Sequence, residues 1–157
     1  MKKIIIGFFS VGFALLISCG GSESSSDNSS KPESMVSNDP SGYDPKRGEG
    51  KFTAENIQLG ASIDETMAAS GSAVQGVKCA SCHKLTDEKL VGPGWKGITV
   101  RKQPAWIMNF ITNPDPMIDK DPEVQAQLEL CLVRMPNQGL TDDDARNLLE
   151  FMRKNDQ

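Results

Sequence analysis

A chain of 157 residues allows one ordinary domain with attachments and leaves little room for two independent cores. Hydrophobic residues make up 38% of the chain and 14 glycines add to the apolar share, which excludes a wholly disordered, collagen-like or multi-pass membrane protein. Seventeen Lys and Arg against 21 Asp and Glu give a net charge of −4 without a basic stripe, so nucleic acid is not expected as a partner.

The first 18 residues have the pattern of an export signal. Two lysines are followed by an apolar stretch over residues 4–17, which is too short for the roughly 20 apolar residues of a spanning helix. A permanent anchor helix is therefore the less favoured alternative. Residues 16–19 (LISC) resemble the lipobox of bacterial lipoproteins, in which the cysteine receives a lipid. We predict a signal peptide over 1–18 and a lipidated N-terminus at Cys19, which places the protein in the bacterial cell envelope, on the periplasmic or extracytoplasmic side.

A polar segment follows the predicted lipidation site. Residues 20–50 contain 9 Ser, 5 Gly and 3 Pro and have no apolar periodicity, so they cannot bury enough surface to offset their ordering entropy. The sequence predicts a flexible tether over 19–52. Loss of residues 1–18 removes two lysines and no acid, which takes the net charge from −4 to −6.

The remainder, residues 53–157, is rich in helix signals and poor in the alternating pattern of strands. Four helices are predicted from residues that cap or open them: Asp64, Pro104, Asp121 and Thr141. The pair Asn113-Pro114 is expected to end the second helix. The fourth helix has the clearest apolar stripe, formed by Ala145, Leu148, Leu149 and Met152. The sequence therefore predicts an all-α domain.

Residues 79–83 (CASCH) form the motif with the strongest chemical meaning. Two thiols three positions apart can add to the two vinyl groups of a haem, and the next residue can then direct its imidazole to the iron. His83, the single histidine of the chain, occupies that position. The motif predicts one covalent haem c held by Cys79 and Cys82, with His83 as an iron ligand.

Three other interpretations of this motif stay open. A CxxC redox pair usually follows a strand, which this sequence does not offer. A structural zinc site could use Cys131 as a further ligand, although the adjacent Cys82 and His83 would be awkward ligands for one tetrahedral ion. The third is a disulfide between Cys79 and Cys82.

A second axial ligand is sought among the methionines. Met135 follows the third predicted helix and precedes Pro136, which keeps its backbone out of the helical region and suits a side chain directed at a metal. Met117 is the alternative, and an iron with an open sixth position is the third possibility. Core packing is the better explanation for Met108 and Met152.

These motifs together resemble a class I cytochrome c over residues 53–157. The resemblance rests on CxxCH near the start, a Gly-Pro turn within residues 91–97, a Met-Pro loop and a capped C-terminal helix. It implies a small helical fold wrapped around one haem. It also implies that the carbonyl of Pro93 accepts a hydrogen bond from His83 Nδ1 and so fixes the ring.

The match departs from the family pattern near the cysteines. Gly71 is present eight positions before the first cysteine, but Gln75 replaces the aromatic residue that is common four positions before it. The partner of this helix in the last helix is expected to be Phe151 or Met152.

Further residues receive provisional roles. Trp95 is expected either to donate its indole hydrogen to a haem propionate or to pack as a core aromatic, and Arg101 and Lys102 are possible propionate neighbours. Trp106 and Phe110 are expected in the core. Cys131, with no cysteine left to pair with, is interpreted as a small buried hydrophobe.

The predicted function is that of a membrane-tethered single-electron carrier, without enzymatic activity of its own. Methionine as an axial ligand and a dry pocket raise the potential of a haem, which favours the oxidising end of a respiratory chain. The expected partners are a respiratory reductase and a terminal oxidase or denitrification enzyme. The alternative is a haem-based sensor or small haem enzyme in which Met135 dissociates or never binds.

Overall fold

The structure is a computed structural model that describes residues 42–157. The predicted signal peptide, Cys19 and most of the predicted tether lie outside these residues. Within the described range no helix combines the length and apolar character needed to cross a membrane.

Six helices make up the described part of the chain, which has no named strand and confirms the predicted all-α domain. They are α1 (Glu65–Lys78), α2 (Ile98–Arg101), α3 (Pro104–Thr112), α4 (Pro114–Lys120), α5 (Pro122–Cys131) and α6 (Asp142–Asn155).

The predicted helix starts are confirmed by their caps. The Asp64 side chain accepts hydrogen bonds from the backbone N–H groups of Thr66 and Met67 at the start of α1. Thr141 and Asp144 form a reciprocal capping box at the start of α6. Each cap satisfies backbone donors that have no partner inside the helix.

Helices α1 and α6 cross in close contact at Gly71. A Cβ at this position would collide with the backbone of Asn147 and lie 2.8 Å from Phe151 Cβ, so only glycine permits the crossing. Of the two partners expected in the last helix, Phe151 is the one that meets Gly71. Gln75, which replaces the expected aromatic residue, is buried on the same helix.

A buried carboxylate ties α6 to the start of α1. Glu150 is fully buried and pairs with Arg146 at 2.6 Å and Arg153 at 2.7 Å. Its Oε1 also accepts a hydrogen bond from the backbone N–H of Asp64 at 3.0 Å. These three donors offset the cost of taking the charge out of water.

Two helices were not predicted. The pair Asn113-Pro114 was expected only to end a helix, but Pro114 also opens α4, because proline is well suited to the first turn of a new helix. Helix α2 has four residues, too few to show periodicity, and follows Gly97 in the left-handed region with φ of 76°.

The N-terminal boundary of the domain lies earlier than predicted. Residues 43–52, here called the strap, were assigned to the tether, but Tyr43 and Phe52 are buried in the core. The Asn109 side chain accepts from the Phe52 N–H at 2.9 Å and donates to the carbonyls of Arg47 and Phe52 at 3.0 Å. These contacts join positions 57 or more residues apart, which a local pattern does not reveal.

Candidate functional site

A cavity of about 450 Å³ lies between the CASCH segment, the 91–94 turn, helices α3 and α5, and the loop before α6. Its volume is in the range of small-molecule and cofactor pockets. The wall is mostly apolar and includes residues of α6 at its base. All seven residues predicted to hold the haem or its iron line this one cavity: Cys79, Cys82, His83, Pro93, Trp95, Arg101 and Met135.

The CASCH segment is shaped by the end of α1. The Gln75 carbonyl accepts hydrogen bonds from the N–H groups of both Cys79 and Ala80 at 2.9 Å. The Cys79 carbonyl then accepts from Cys82 N–H at 3.0 Å and His83 N–H at 2.9 Å. This tight turn places both thiols and the imidazole along the cavity.

His83 is held by the turn that faces it. Its Nδ1 lies 2.8 Å from the Pro93 carbonyl oxygen, which is the contact expected from the resemblance. Because a carbonyl only accepts, Nδ1 is the protonated nitrogen, and Nε2 keeps its lone pair for a metal. Burial lowers the pKa of His83, while the hydrogen bond to Pro93 opposes this effect. The neutral imidazole needed for ligation is thus favoured.

Gly92 also fixes the His83 ring, a role that its neighbours in the sequence do not indicate. A Cβ on Gly92 would collide with Cε1 of the imidazole, so the backbone of the turn packs directly against the ring. The N–H of Gly92 donates to the Cys82 carbonyl at 2.9 Å, which secures the turn to the motif. The only local signal was a glycine immediately before Pro93.

The cysteine pair does not have the character of a redox site. Cys79 is buried, and burial raises the pKa of its thiol to about 11. Nucleophilic cysteines of CxxC redox motifs instead have lowered pKa values. In the described residues Cys79, Cys82 and Cys131 are free thiols, so the structure does not contain the disulfide considered above.

The zinc interpretation fails on geometry. Across residues 42–157 no group of three or more His, Cys, Asp or Glu side chains is placed to hold a metal ion.

Cys131 is not the buried hydrophobe that was expected. It is half-buried at the last position of α5 and forms part of the cavity wall, because this end of the helix borders the cavity rather than the core.

The two candidate methionine ligands lie in different places. Met135 is half-buried, packs against the core and lines the cavity. Met117 is fully buried, and its thioether lies against the backbone of Gly48. It is not among the residues that form the cavity wall, so its thioether belongs to the core.

The predicted propionate neighbours also lie at the cavity. Trp95 is buried, with its ring centroid 5.8 Å from that of His83. Arg101 donates to the Lys96 carbonyl at 2.8 Å. Lys102 pairs with Glu123 and lies over the Trp106 ring, with Nζ 4.4 Å from the centroid. Trp106 is buried and stacks on half-buried Phe110, in agreement with their expected place in the core.

The residues around the cavity fit a covalent haem. Two thiols and a neutral imidazole converge on one side, and a thioether is available from the loop before α6. The remaining wall is largely apolar, with three cationic side chains, Lys78, Arg101 and Lys102. Thiols suit the vinyl groups, and imidazole with thioether is an established axial pair for haem iron.

Comparisons with known proteins agree with this chemistry. The family model described as cytochrome c matches residues 68–156. The solved structure of a cytochrome c from Rhodothermus marinus is 31% identical, with a TM-score of 0.62 over 66% of this chain and 89% of that one. An engineered cytochrome c from Rhodothermus marinus, Rma TDE, is 30% identical, with a TM-score of 0.61 over 66% of this chain and 90% of that one. A search of curated proteins gave no match.

Proposed function

The chain belongs to the cytochrome c family, which carries covalently bound haem c, and from this premise we propose that the protein is a single-electron carrier tethered to a membrane. Family membership supports haem-based electron transfer in general. The single observation that carries the finer proposal is that His83, already hydrogen-bonded to Pro93, and Met135 lie at one cavity.

Cys79 and Cys82 are proposed to hold the haem through two thioether bonds. Their position at the cavity wall, on the turn that ends α1, supports this assignment. His83 is proposed as the first axial ligand through Nε2. Pro93 holds the imidazole in one tautomer and one orientation, so little rearrangement accompanies a change of iron charge.

Met135 is proposed as the second axial ligand. When bound, the haem supplies a one-electron Fe(III)/Fe(II) couple, which the methionine thioether shifts toward a higher potential than a second histidine would. The apolar wall excludes water from the site, which acts in the same direction. Met135 thereby closes the position at which a substrate or gas would otherwise bind, which favours a carrier over an enzyme or a sensor.

Trp95 and Arg101 are proposed to contact the haem propionates. Both line the cavity beside the motif, and Arg101 offers further N–H donors besides the one given to Lys96. A guanidinium suits carboxylate partners, because its planar donors match two oxygens at once.

The proposed setting is a respiratory chain in a bacterial cell envelope. Cys19 would carry the lipid, and the segment after it would let the haem domain reach redox proteins that reduce and oxidise it in turn. The respiratory reductase and the oxidase or denitrification enzyme are proposed as partners on the ground of the expected high potential alone.

Replacement of Met135 tests the carrier function. Met135→Ala is expected to open the iron, so that the reduced protein binds carbon monoxide and its reduction potential falls. Met135→His is expected to keep a six-coordinate low-spin iron at a much lower potential, because axial ligands help set haem potentials over roughly 0.8 V. Absorption spectra with and without carbon monoxide, together with potentiometric titration, provide the measurements.

Met117→Leu is the matched control. It exchanges one buried methionine for a side chain of similar volume, at a cost below about 1.5 kcal/mol, and should leave the spectrum unchanged. Rapid carbon monoxide binding by the unaltered protein would contradict the carrier and favour a sensor or enzyme. Loss of the low-spin spectrum in Met117→Leu but not in Met135→Ala would assign the ligand to Met117.

A further inference from the structure

A buried carboxylate is connected to the cavity through Trp106. The Trp106 side chain forms part of the cavity wall, and its Nε1–H donates to Asp121 Oδ2 at 2.9 Å. Asp121 is only 1% exposed and is not part of the wall. The same oxygen accepts the Tyr43 hydroxyl at 2.6 Å, so a residue of the strap completes the arrangement.

The other oxygen of Asp121 is also satisfied. Oδ1 accepts the backbone N–H groups of Glu123 at 2.9 Å and Val124 at 3.2 Å, where Asp121 caps α5. Burial opposes ionisation, but the hydrogen bonds from Tyr43, Trp106 and Val124 outweigh it and lower the pKa of Asp121. The group is therefore a carboxylate at neutral pH, held away from water.

Lys102 offsets part of this charge. It lies over the Trp106 ring, helps to lower the pKa of Asp121 as a nearby positive charge, and also pairs with Glu123, whose side chain is 76% exposed. Lys102 itself is only 14% exposed, so water screens Glu123 more strongly than it screens Lys102. A substitution that removes the Asp121 charge leaves this lysine in place, so Asp121 alone sets the sign of the resulting change in potential.

We propose that Asp121 lowers the reduction potential of the haem, acting through Trp106, and that Tyr43 moderates this effect. A fixed negative charge favours the oxidised iron, which carries one more positive charge than the reduced iron. The Tyr43 hydroxyl draws part of the charge toward itself and so weakens the effect. The strap thus contributes to the redox properties of a site that it does not line.

The inference rests on the haem site of the proposed function and is tested by potentiometric titration of the intact holoprotein. Asp121→Asn removes the charge and should raise the potential, with the ratio of reduced to oxidised haem at a fixed ambient potential changing by on the order of tenfold. Tyr43→Phe keeps the charge but removes its hydrogen-bond donor, and should lower the potential by a smaller amount.

Two matched controls separate charge from loosened packing. Asp64→Asn removes a carboxylate that caps α1 in the same way as Asp121 caps α5. Helix α1 has 14 residues and its opposite end meets the cavity, so Asp64 is far from the haem site and its loss should leave the potential unchanged. Asn109→Ala removes the hydrogen bonds to the strap at Arg47 and Phe52, without changing any charge or removing any side chain of the Asp121 cluster. It should shift the potential less than Tyr43→Phe does.

The signs of the shifts decide the outcome. An unchanged potential in Asp121→Asn, or shifts of the same sign in Asp121→Asn and Tyr43→Phe, would overturn the proposal, because loosened packing moves both variants in one direction. If Asp121→Asn does not fold, Tyr43→Phe decides: a potential below that of Asn109→Ala supports the proposal, and one equal to it or higher refutes it. Absence of covalent haem in the unaltered protein would instead refute the underlying haem site.

Discussion

Glu150 is a fully buried carboxylate whose charge is compensated by two arginines of the same helix. Glu150→Gln removes the charge that faces Arg146 and Arg153, whose side chains are only 18% and 19% exposed. Loss of one partner from such a cluster leaves buried charge without compensation, so the free energy of unfolding should fall by about 3 kcal/mol at pH 7. Denaturant unfolding of the holoprotein measures this change.

The same residue should give the protein part of its acid sensitivity. Burial opposes ionisation, but the hydrogen bonds from Asp64, Arg146 and Arg153 outweigh it and hold the pKa of Glu150 below its usual range. A lowered folded-state pKa means that this stabilisation is complete above the unfolded pKa of about 4.3 and is lost as pH falls toward the folded value. Glu150→Gln should therefore show a smaller stability difference between neutral and acidic pH.

A surface carboxylate supplies the control for Glu150. Glu65→Gln breaks an exposed pair with Lys154 that also joins α1 to α6, and such pairs contribute about 0–1 kcal/mol. Equal losses of stability in the two variants would contradict the importance assigned here to burial.

At the scale of single residues, local chemistry was predictable and long-range partners were not. The CASCH motif and the capping role of Asp64 were evident because each depends on neighbours within a few positions. The hydrogen bond from Tyr43 to Asp121 spans 78 positions. The close packing of Gly92 against the His83 ring forms only when the 91–94 turn has folded against the motif. Neither contact can be predicted from a local sequence pattern.

The crossing of α1 and α6 gives a prediction at the scale of helices. Gly71→Ala places a methyl group against the Asn147 backbone, which cannot move without separating the helices, so the free energy of unfolding should fall by about 2 kcal/mol or more. Gly76→Ala, on the same helix, meets open space and should raise it by up to about 1 kcal/mol. Thermal unfolding of both holoproteins compares them, and destabilisation by Gly76→Ala alone would contradict the crossing.

The four helices that were predicted have nine or more residues, which is enough to show apolar periodicity. Both α1 and α6 have 14 residues and a side-chain cap, and both starts were identified. Helix α2 has four residues, and α4 has seven and begins at a proline that had been taken only as a stop. Proline both ends one helix and opens the next, so its position alone does not distinguish the two.

At the scale of the whole molecule, the proposed lipid anchor is tested at Cys19. Cys19→Ser removes the thiol to which a lipid would be attached, so the protein should appear in the soluble fraction with an unchanged haem spectrum, or accumulate uncleaved. Membrane fractionation followed by haem staining gives the result. A processed variant that stays with the membrane as the unaltered protein does would exclude Cys19 as the anchor.

The extent of the folded domain could not be obtained from composition. Residues 43–52 are mostly polar, like the rest of the segment, but Tyr43 and Phe52 are buried against residues that are distant in the sequence. Two large side chains are enough to attach a segment that is otherwise polar, because each buries apolar surface on a core that is already formed.

These distant contacts also set the order in which a growing chain can close. Tyr43 cannot bond to Asp121 until that residue has been synthesised, and α1 cannot pack against α6 until that helix follows, since contacts between the two helices join positions up to 89 residues apart. Such non-local contacts form late, because the loop between them must close first. The cysteines of the motif precede α6 in the chain, so both thiols should remain accessible for haem attachment until that helix packs against α1.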